Sequence, residues 1–327
     1  VKFHTPLFLI KLFKFEYWTW WVFYLPLLPR FLWYALQARS FTFISLVNPS
    51  MELGGLVGES KIDILNEIAN EFKPKTLFFK YEGNDINEHT ILAYMAKSNI
   101  DFPIVIKPNV GERGNQVEKI SDVASLKSYL STVQNDFIIQ EYIDYPIELG
   151  VMYYRLPNEP CGRVTSITMK KFLTVVGNGK SSIYELLSQN TRARFQLERL
   201  KQKIPQRLQE IPLDKQEILI EPIGNHCRGT EFINRNDLIK KEIHTVFDKI
   251  SIPIQGFYYG RFDLKVQKFE DLYTGKNLKI MELNGVASEP AHIYDAQYRL
   301  GQAYKDIIYH WQIIWQIYLQ NKSKQAP

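Results

Sequence analysis

The residues of this chain best suited to hold a metal ion and phosphate lie on two short runs in its last third. Over 261–266 apolar residues alternate with Arg261, Asp263 and Lys265, and over 278–284 they are interleaved with Glu282 and Asn284. Period-two alternation predicts two strands, and the turn-rich stretch 271–277 between them predicts an antiparallel pair. Side chains two apart on a strand share a face. Arg261, Asp263 and Lys265 therefore point one way, and Glu282 and Asn284 point together. Two carboxylates and an amide oxygen form a hard-oxygen set, suited to Mg2+ carrying phosphate rather than to zinc. Spacing alone leaves a second reading open, a solvated face bearing ordinary charges.

Earlier segments favour the first reading. Residues 102–107 predict a buried strand ending in Lys107, followed by a loop, 108–117, that contains Gly111 and Gly114. Glycines let backbone N–H groups approach a phosphate closely, and the lysine adds a cation. The run 138–143 comes next, with Gln140, Glu141, Tyr142 and Ile143 at its end. Taken in order, the loop, this run, Arg261 to Asp263 and Glu282 to Asn284 resemble the ATP-grasp superfamily. Within it, they are most similar to the D-alanine–D-alanine ligase and cyanophycin synthetase branch, over residues 102–290.

The resemblance implies an α/β (α+β) ATP-grasp fold and an enzyme that uses ATP and Mg2+. Such ligases turn a carboxylate into an acyl phosphate, which an amine then attacks. By resemblance, Lys107 contacts the ATP phosphates and the loop with Gly111 and Gly114 closes over them. Gln140, Glu141, Tyr142 and Ile143 run along the adenine, and Glu148 binds the ribose. Asp263, Glu282 and Asn284 hold two Mg2+ ions, with Mn2+ as an alternative, and Arg261 stabilises the moving phosphoryl group. The run 175–180 resembles the Val-Val-Gly-Asp-Gly-Lys segment of cyanophycin synthetases, so Lys170 or Lys171 just before it is a second phosphate lysine. Lys170 is assigned to the nucleotide and Lys171 to catalysis, with the choice of phosphate contact left open. Residues 224–230 resemble a loop beside the acyl-phosphate site and keep one of its two glycines, with Arg228 as a carboxylate or phosphate clamp. Two departures stand out. Gln140 replaces a frequent glutamate, and the stretch 285–290 is longer than the ligases' Ser-Pro-Gly turn.

Composition narrows the classes. Charged residues are 23% and the net charge is +5, mildly basic without the aromatic-basic repeat of a nucleic-acid binder. Cys161 and Cys227 are far apart with no CxxC spacing, which predicts reduced thiols and a cytoplasmic setting, at the inner face of the membrane in one reading. His226 beside Cys227 lacks a second ligand pair, so a metal site is not predicted there.

Residues 1–43 are rich in Trp, Tyr, Phe and Leu, with Pro26, Pro29 and Arg30 interrupting them. Three readings stay open in this order: an interfacial segment in peripheral contact with a membrane, a buried arm packed on the body, and a true span. Residues 44–100 predict a small N-terminal α/β domain, opened by the glycine-rich loop 48–61, which either holds a substrate carboxylate or turns the chain. Residues 101–297 form the nucleotide-binding body. Residues 298–327 form an amphipathic helix with a broad aromatic stripe, ending in a disordered tail from 321. Ser121 and Asn236 are expected helix caps, and 189–207 is expected to be one basic helix. His292 and Asp295 are candidate substrate contacts.

The first functional reading is an ATP- and Mg-dependent carboxylate–amine ligase acting on small molecules. Alternatives are a carboxylate–thiol ligase or kinase with the same nucleotide site, and a non-enzymatic ATP-binding protein at a membrane. The sequence names neither substrate nor oligomeric state.

Overall fold

The computed structural model describes residues 5–56, 58–81, 87–111 and 116–325. Gly114 lies outside the described residues. The strands are β1 (Thr76–Phe79), β2 (Ile104–Pro108), β3 (Glu118–Ile120), β4 (Phe137–Glu141), β5 (Ile147–Tyr154), β6 (Arg163–Lys171), β7 (Leu173–Val176), β8 (Glu217–Glu221), β9 (Glu231–Asn234), β10 (Tyr259–Val266) and β11 (Leu278–Asn284). They form three sheets, ordered β1-β4-β2-β3, β11-β10-β5-β6-β9 and β7-β8. Every pairing is antiparallel.

Alternation decides which face each strand buries. In β10, Phe262, Leu264 and Val266 are fully buried. They pack with Ile243, Phe247 and Ile250 of the helix Lys241–Ser251 into the main core. That leaves Arg261, Asp263 and Lys265 on the opposite face, toward a cavity. The four-stranded sheet buries Ile104, Ile106 and Ile139 against Ile91 and Met95 of the helix Glu88–Lys97 and Leu126 of the helix Val123–Leu130. A third, smaller core lies under β7 and β8.

Several local expectations change. The segment 44–100 does not make a sheet of its own: β1 pairs with β4 of the next segment, and Leu65 and Phe72 join the main core under the five-stranded sheet. Apolar residues bury against the largest surface within reach, whatever their place in the chain. Asp122, not Ser121, caps the helix Val123–Leu130, in a reciprocal box with Ser125. Asn236 instead accepts from the Ile167 backbone N–H, and the following helix starts at Lys241. The basic stretch 189–207 breaks into the helices Thr191–Arg194 and Leu197–Lys203. The C-terminal helix, Leu300–Gln325, runs past 321, where buried Asn321 donates to the carbonyls of Leu46 and Val47. A buried amide with two partners fixes the helix end that composition alone marked as disordered.

The N-terminal arm is helical over Leu7–Phe13, Trp20–Tyr24 and Leu28–Ala38. One side of it buries Phe23, Leu27, Tyr34, Ala35 and Ala38. These meet the C-terminal stripe, with Tyr34 stacked on Trp315 at 5.0 Å and Phe23 tilted on Tyr304 at 5.2 Å. Burying each of these large rings stabilises the junction by about 2 kcal/mol. Among the described residues no helix is long and apolar enough to cross a membrane.

Candidate active site

Strands β10 and β11 build the floor of the site. Arg261 lies opposite Asn284 and Asp263 opposite Glu282 in their register, so all four side chains share one face, as alternation predicted. The register then jumps to Leu264 opposite Ile280, leaving Met281 as an extra residue in β11. Such a bulge interrupts the ladder locally, and the Met281 carbonyl accepts from Lys107 Nζ at 2.9 Å. The two sheets are thus tied together at the site by a buried lysine.

Charges of both signs interleave above this floor. Arg261 Nε and Nη2 donate to Asp263 Oδ1 and Oδ2 at 3.0 and 3.2 Å, a bidentate pair. Asn284 Nδ2 donates to Asp263 Oδ2 at 3.3 Å, so its amide nitrogen is the atom turned to that carboxylate. Lys170 Nζ lies 3.1 Å from Glu148 Oε1 and 3.4 Å from Asp263 Oδ1. Burial works against the Lys170 charge, but Asp263 and Glu148 outweigh it and hold its pKa above the usual lysine value. Burial likewise opposes ionisation of Asp263, and Arg261 and Lys170 prevail, keeping it below the usual carboxylate range. Among the described residues Lys107 has no carboxylate as close as these. Burial pushes its ammonium down to about 8, against the pull of Glu282.

At the other end, Gln140 is fully buried; its Nε2 donates to Thr76 Oγ1 at 3.1 Å, and its Oε1 has no partner. The Tyr142 ring sits between Lys119 Nζ at 3.7 Å and Lys265 Nζ at 5.1 Å, and Lys265 donates to the Ile143 carbonyl. Gln140, Tyr142, Ile143, Gly111 and Glu148 line the same cavity as Lys107, Lys170 and the β10–β11 set. The volume of this cavity is about 1120 Å³.

Three expected residues turn elsewhere. The Glu141 carboxylate accepts from the Lys75 backbone N–H at 3.0 Å, so it faces β1. Lys171 follows Lys170 on β6 and therefore takes the opposite face; its side chain is 62% exposed and pairs with Glu231 at 3.6 Å. Arg228 pairs with buried Glu221 at 3.8 Å, in a cluster with Arg199, and does not line the cavity, although its neighbours His226 and Cys227 do. His292 is held between Ser166 and Asp306, and Asp295 accepts from the Asn234 backbone N–H; both brace the fold.

Two residues that the sequence reading held only as ends of candidate loops line the cavity. Lys61, at the start of the helix Lys61–Glu67, donates to the Gly111 carbonyl at 2.6 Å and lies 3.8 Å from Glu282. Gly224 passes behind Glu148: a Cβ there would fall 2.4 Å from Glu148 Oε1 and 2.9 Å from Lys170 Cδ. The glycine-rich loop touches the site through Gly55, whose Cα faces the Cα of Gly285 so closely that neither position has room for a Cβ. The Gly54 and Gly55 carbonyls accept from the Val286 and Ala287 N–H groups, both at 3.1 Å.

The residues present fit a magnesium nucleotide. The unpartnered Gln140 Oε1 can accept from an exocyclic amine, and two buried lysines face the hard-oxygen set Asp263, Glu282 and Asn284. Among the described residues no group of three His, Cys, Asp or Glu is placed to hold a metal ion.

The family model of the RimK-like ATP-grasp domain matches residues 81–152, a span that takes in β2, β3, β4 and most of β5. No curated protein matches the chain. Among solved structures, it is similar to a bifunctional glutathione synthetase from Pasteurella multocida, with 15% identity and a TM-score of 0.36 over 74% of this chain and 34% of that one. It is also similar to a D-Ala:D-Ser ligase from Enterococcus faecalis, with 13% identity and a TM-score of 0.42 over 76% and 57% of the two chains. A D-alanine–D-alanine ligase from Bacillus anthracis gives 13% identity and a TM-score of 0.44 over 78% and 65%. The chain thus spans about a third of the first and under two thirds of the other two.

Proposed function

From a chain that carries the ATP-grasp fold, we propose an ATP-dependent ligase that joins a small-molecule carboxylate to an amine. The observation that carries this reading is the gathering of Lys107, Lys170 and Arg261 around Asp263, Glu282 and Asn284 inside one cavity. When bound, ATP with Mg2+ would supply the phosphoryl group that activates the substrate carboxylate as an acyl phosphate with ADP leaving, and attack by the amine would then form the amide with release of phosphate and a proton.

The residues of the chain do the rest by position and charge. Lys107 and Lys170 meet the phosphate oxygens. Asp263, Glu282 and the Asn284 amide oxygen hold the metal, as two Mg2+ ions or with Mn2+ in their place. Arg261, planar and already bidentate to Asp263, balances negative charge where the phosphoryl group moves. Glu148, held by Lys170, meets the ribose, and Gln140, Tyr142 and Ile143 meet the base. Lys61 bridges the Gly111 carbonyl and Glu282, which sets the start of the phosphate loop beside the metal carboxylate. None of these roles needs a covalent nucleophile.

The proposal includes peripheral contact of 1–43 with a membrane, at its inner, ATP-containing face, where the exposed free thiols of Cys161 and Cys227 stay reduced. The test is ADP release screened against pools of carboxylates with and without amines, with mass spectrometry of the product. Glu282→Ala should abolish turnover with the fold intact. Full acceptor-dependent ADP release by that variant would overturn the assignment.

A further inference from the structure

The arm carries two apolar stripes, and this chain covers one of them. Across 20–38, Phe23, Leu27, Tyr34 and Ala38 face inward. Trp21, Leu25, Leu28, Leu32 and Leu36 recur every three or four residues on another side of the same helical stretch. Their exposures are 56%, 59%, 45%, 39% and 71%. Phe8, Leu12, Phe13 and Trp33 of the same arm are exposed as well. A contiguous apolar face of this kind marks a surface for a partner or a membrane.

Charge selects the occupant. Residues 5–47 hold four basic side chains, Lys11, Lys14, Arg30 and Arg39, all exposed, and one acid, Glu16. Glu16 is buried in an ion pair with Arg192, so it does not offset the basic surface. Exposed Trp and Leu bordered by cations, without free acids, complement an anionic bilayer surface. No described helix is long and apolar enough to span a membrane, and short helices with an exposed apolar stripe and flanking cations suit the interfacial plane.

The same arm walls the catalytic cavity. Phe15, Trp18, Trp20 and Phe23 line the space that also holds Lys107, Asp263 and Glu282. Trp20 is 67% exposed while lining that space, so the cavity opens beside the exposed stripe. At about 1120 Å³ the cavity exceeds the ~300–1,000 Å³ of a typical single-ligand site. We infer that the carboxylate substrate is an amphiphile taken from an anionic bilayer, its head at Arg261 and the metal set and its chain leaving past Trp20 along the arm. This rests on the ligase reading for the role of the head, whereas the bilayer contact stands on the arm itself.

Two measurements on the full chain test it, and neither needs turnover. In the first, the protein is floated with vesicles of equal parts phosphatidylglycerol and phosphatidylcholine. Wild type should float, and Leu25→Glu/Leu28→Glu/Leu32→Glu, confined to exposed positions, should bind about a hundredfold more weakly. Arg30→Glu/Arg39→Glu should bind about tenfold more weakly, which keeps the test decisive if the triple variant unfolds. Wild type that stays at the bottom, or a lipid-free dimer that the triple variant splits, would overturn the bilayer assignment.

The second uses Cys227, an exposed free thiol that lines the cavity, with exposed Cys161 outside the cavity as reference. N-dodecanoyl-glycine, below its micelle concentration, should slow alkylation of Cys227 at least about fivefold, as occupancy of the cavity requires, and leave Cys161 unchanged. N-acetyl-glycine at the same concentration should protect neither. Equal protection by both, or by neither, would overturn the substrate class. Positive results here with no ADP release from any pool would instead remove the ligase reading and leave the bilayer contact standing.

Discussion

Replacing Lys170 by methionine separates the two adjacent lysines that the sequence left undecided. Lys170 Nζ lies between Glu148 at 3.1 Å and Asp263 at 3.4 Å, with a side chain only 9% exposed. Lys170→Met leaves two largely buried carboxylates with one cation fewer, and breaking a buried pair from one side costs about 3 kcal/mol. The bidentate Arg261 contact keeps Asp263 satisfied and holds the figure at that lower end. For a chain of this size the loss should appear as a fall in Tm of about 4 °C. Loss of a preorganised phosphate cation should also lower kcat/KM by about a hundredfold or more. Lys171→Met removes a 3.6 Å pair whose lysine is 62% exposed, so its cost should stay below about 0.5 kcal/mol and turnover should not change. The assay is thermal unfolding and ADP release on both variants in parallel. Indistinguishable variants, or a larger effect at Lys171, would refute the assignment of Lys170 to the cavity.

Gly224→Ala should leave the fold intact but displace Glu148 from Lys170, since the new Cβ would sit 2.4 Å from the carboxylate; ATP affinity by equilibrium titration should fall about tenfold. Lys107, with an ammonium pushed down to about 8 by burial, is half neutral near that pH in the free protein. Phosphate favours its charged form, so binding takes up a proton and ATP affinity weakens as pH rises through 8; calorimetry in buffers of different ionisation enthalpy reads this, and Lys107→Arg should flatten the profile. Asn48, fully buried, bonds the Gly54 and Tyr259 carbonyls and the Tyr258 and Tyr259 N–H groups. Asn48→Ala should cost about 4 kcal/mol, seen as a lower denaturant midpoint, and loosen the glycine-rich loop behind the metal strands.

Some of this was legible in the order of residues. Alternation is a local property, and it sufficed to set Arg261 and Asp263 on one face and Glu282 and Asn284 on another strand beside them. Lys107, at the end of an apolar run before a glycine loop, was legible for the same reason. The sequence also determined that the arm is aromatic and basic; that it folds into helices with one apolar side buried and another exposed was decided by the tertiary structure.

Tertiary structure decided what depends on partners distant in the chain. Alternation says that Lys170 and Lys171 face opposite ways, but only the pairing of β6 with β5 sets Glu148 beside Lys170 and turns that face to the cavity. Only the fold brings Glu221 within 3.8 Å of Arg228. Lys61 became part of the site because its helix abuts both the Gly111 turn and Glu282, over sequence distances of 50 and 221 residues. The segment 44–100 contributes β1 to a sheet shared with the next segment, because β1 hydrogen-bonds β4. A side chain's period is written in its neighbours, but its partner is chosen by the global packing that buries apolar surface and satisfies each buried charge.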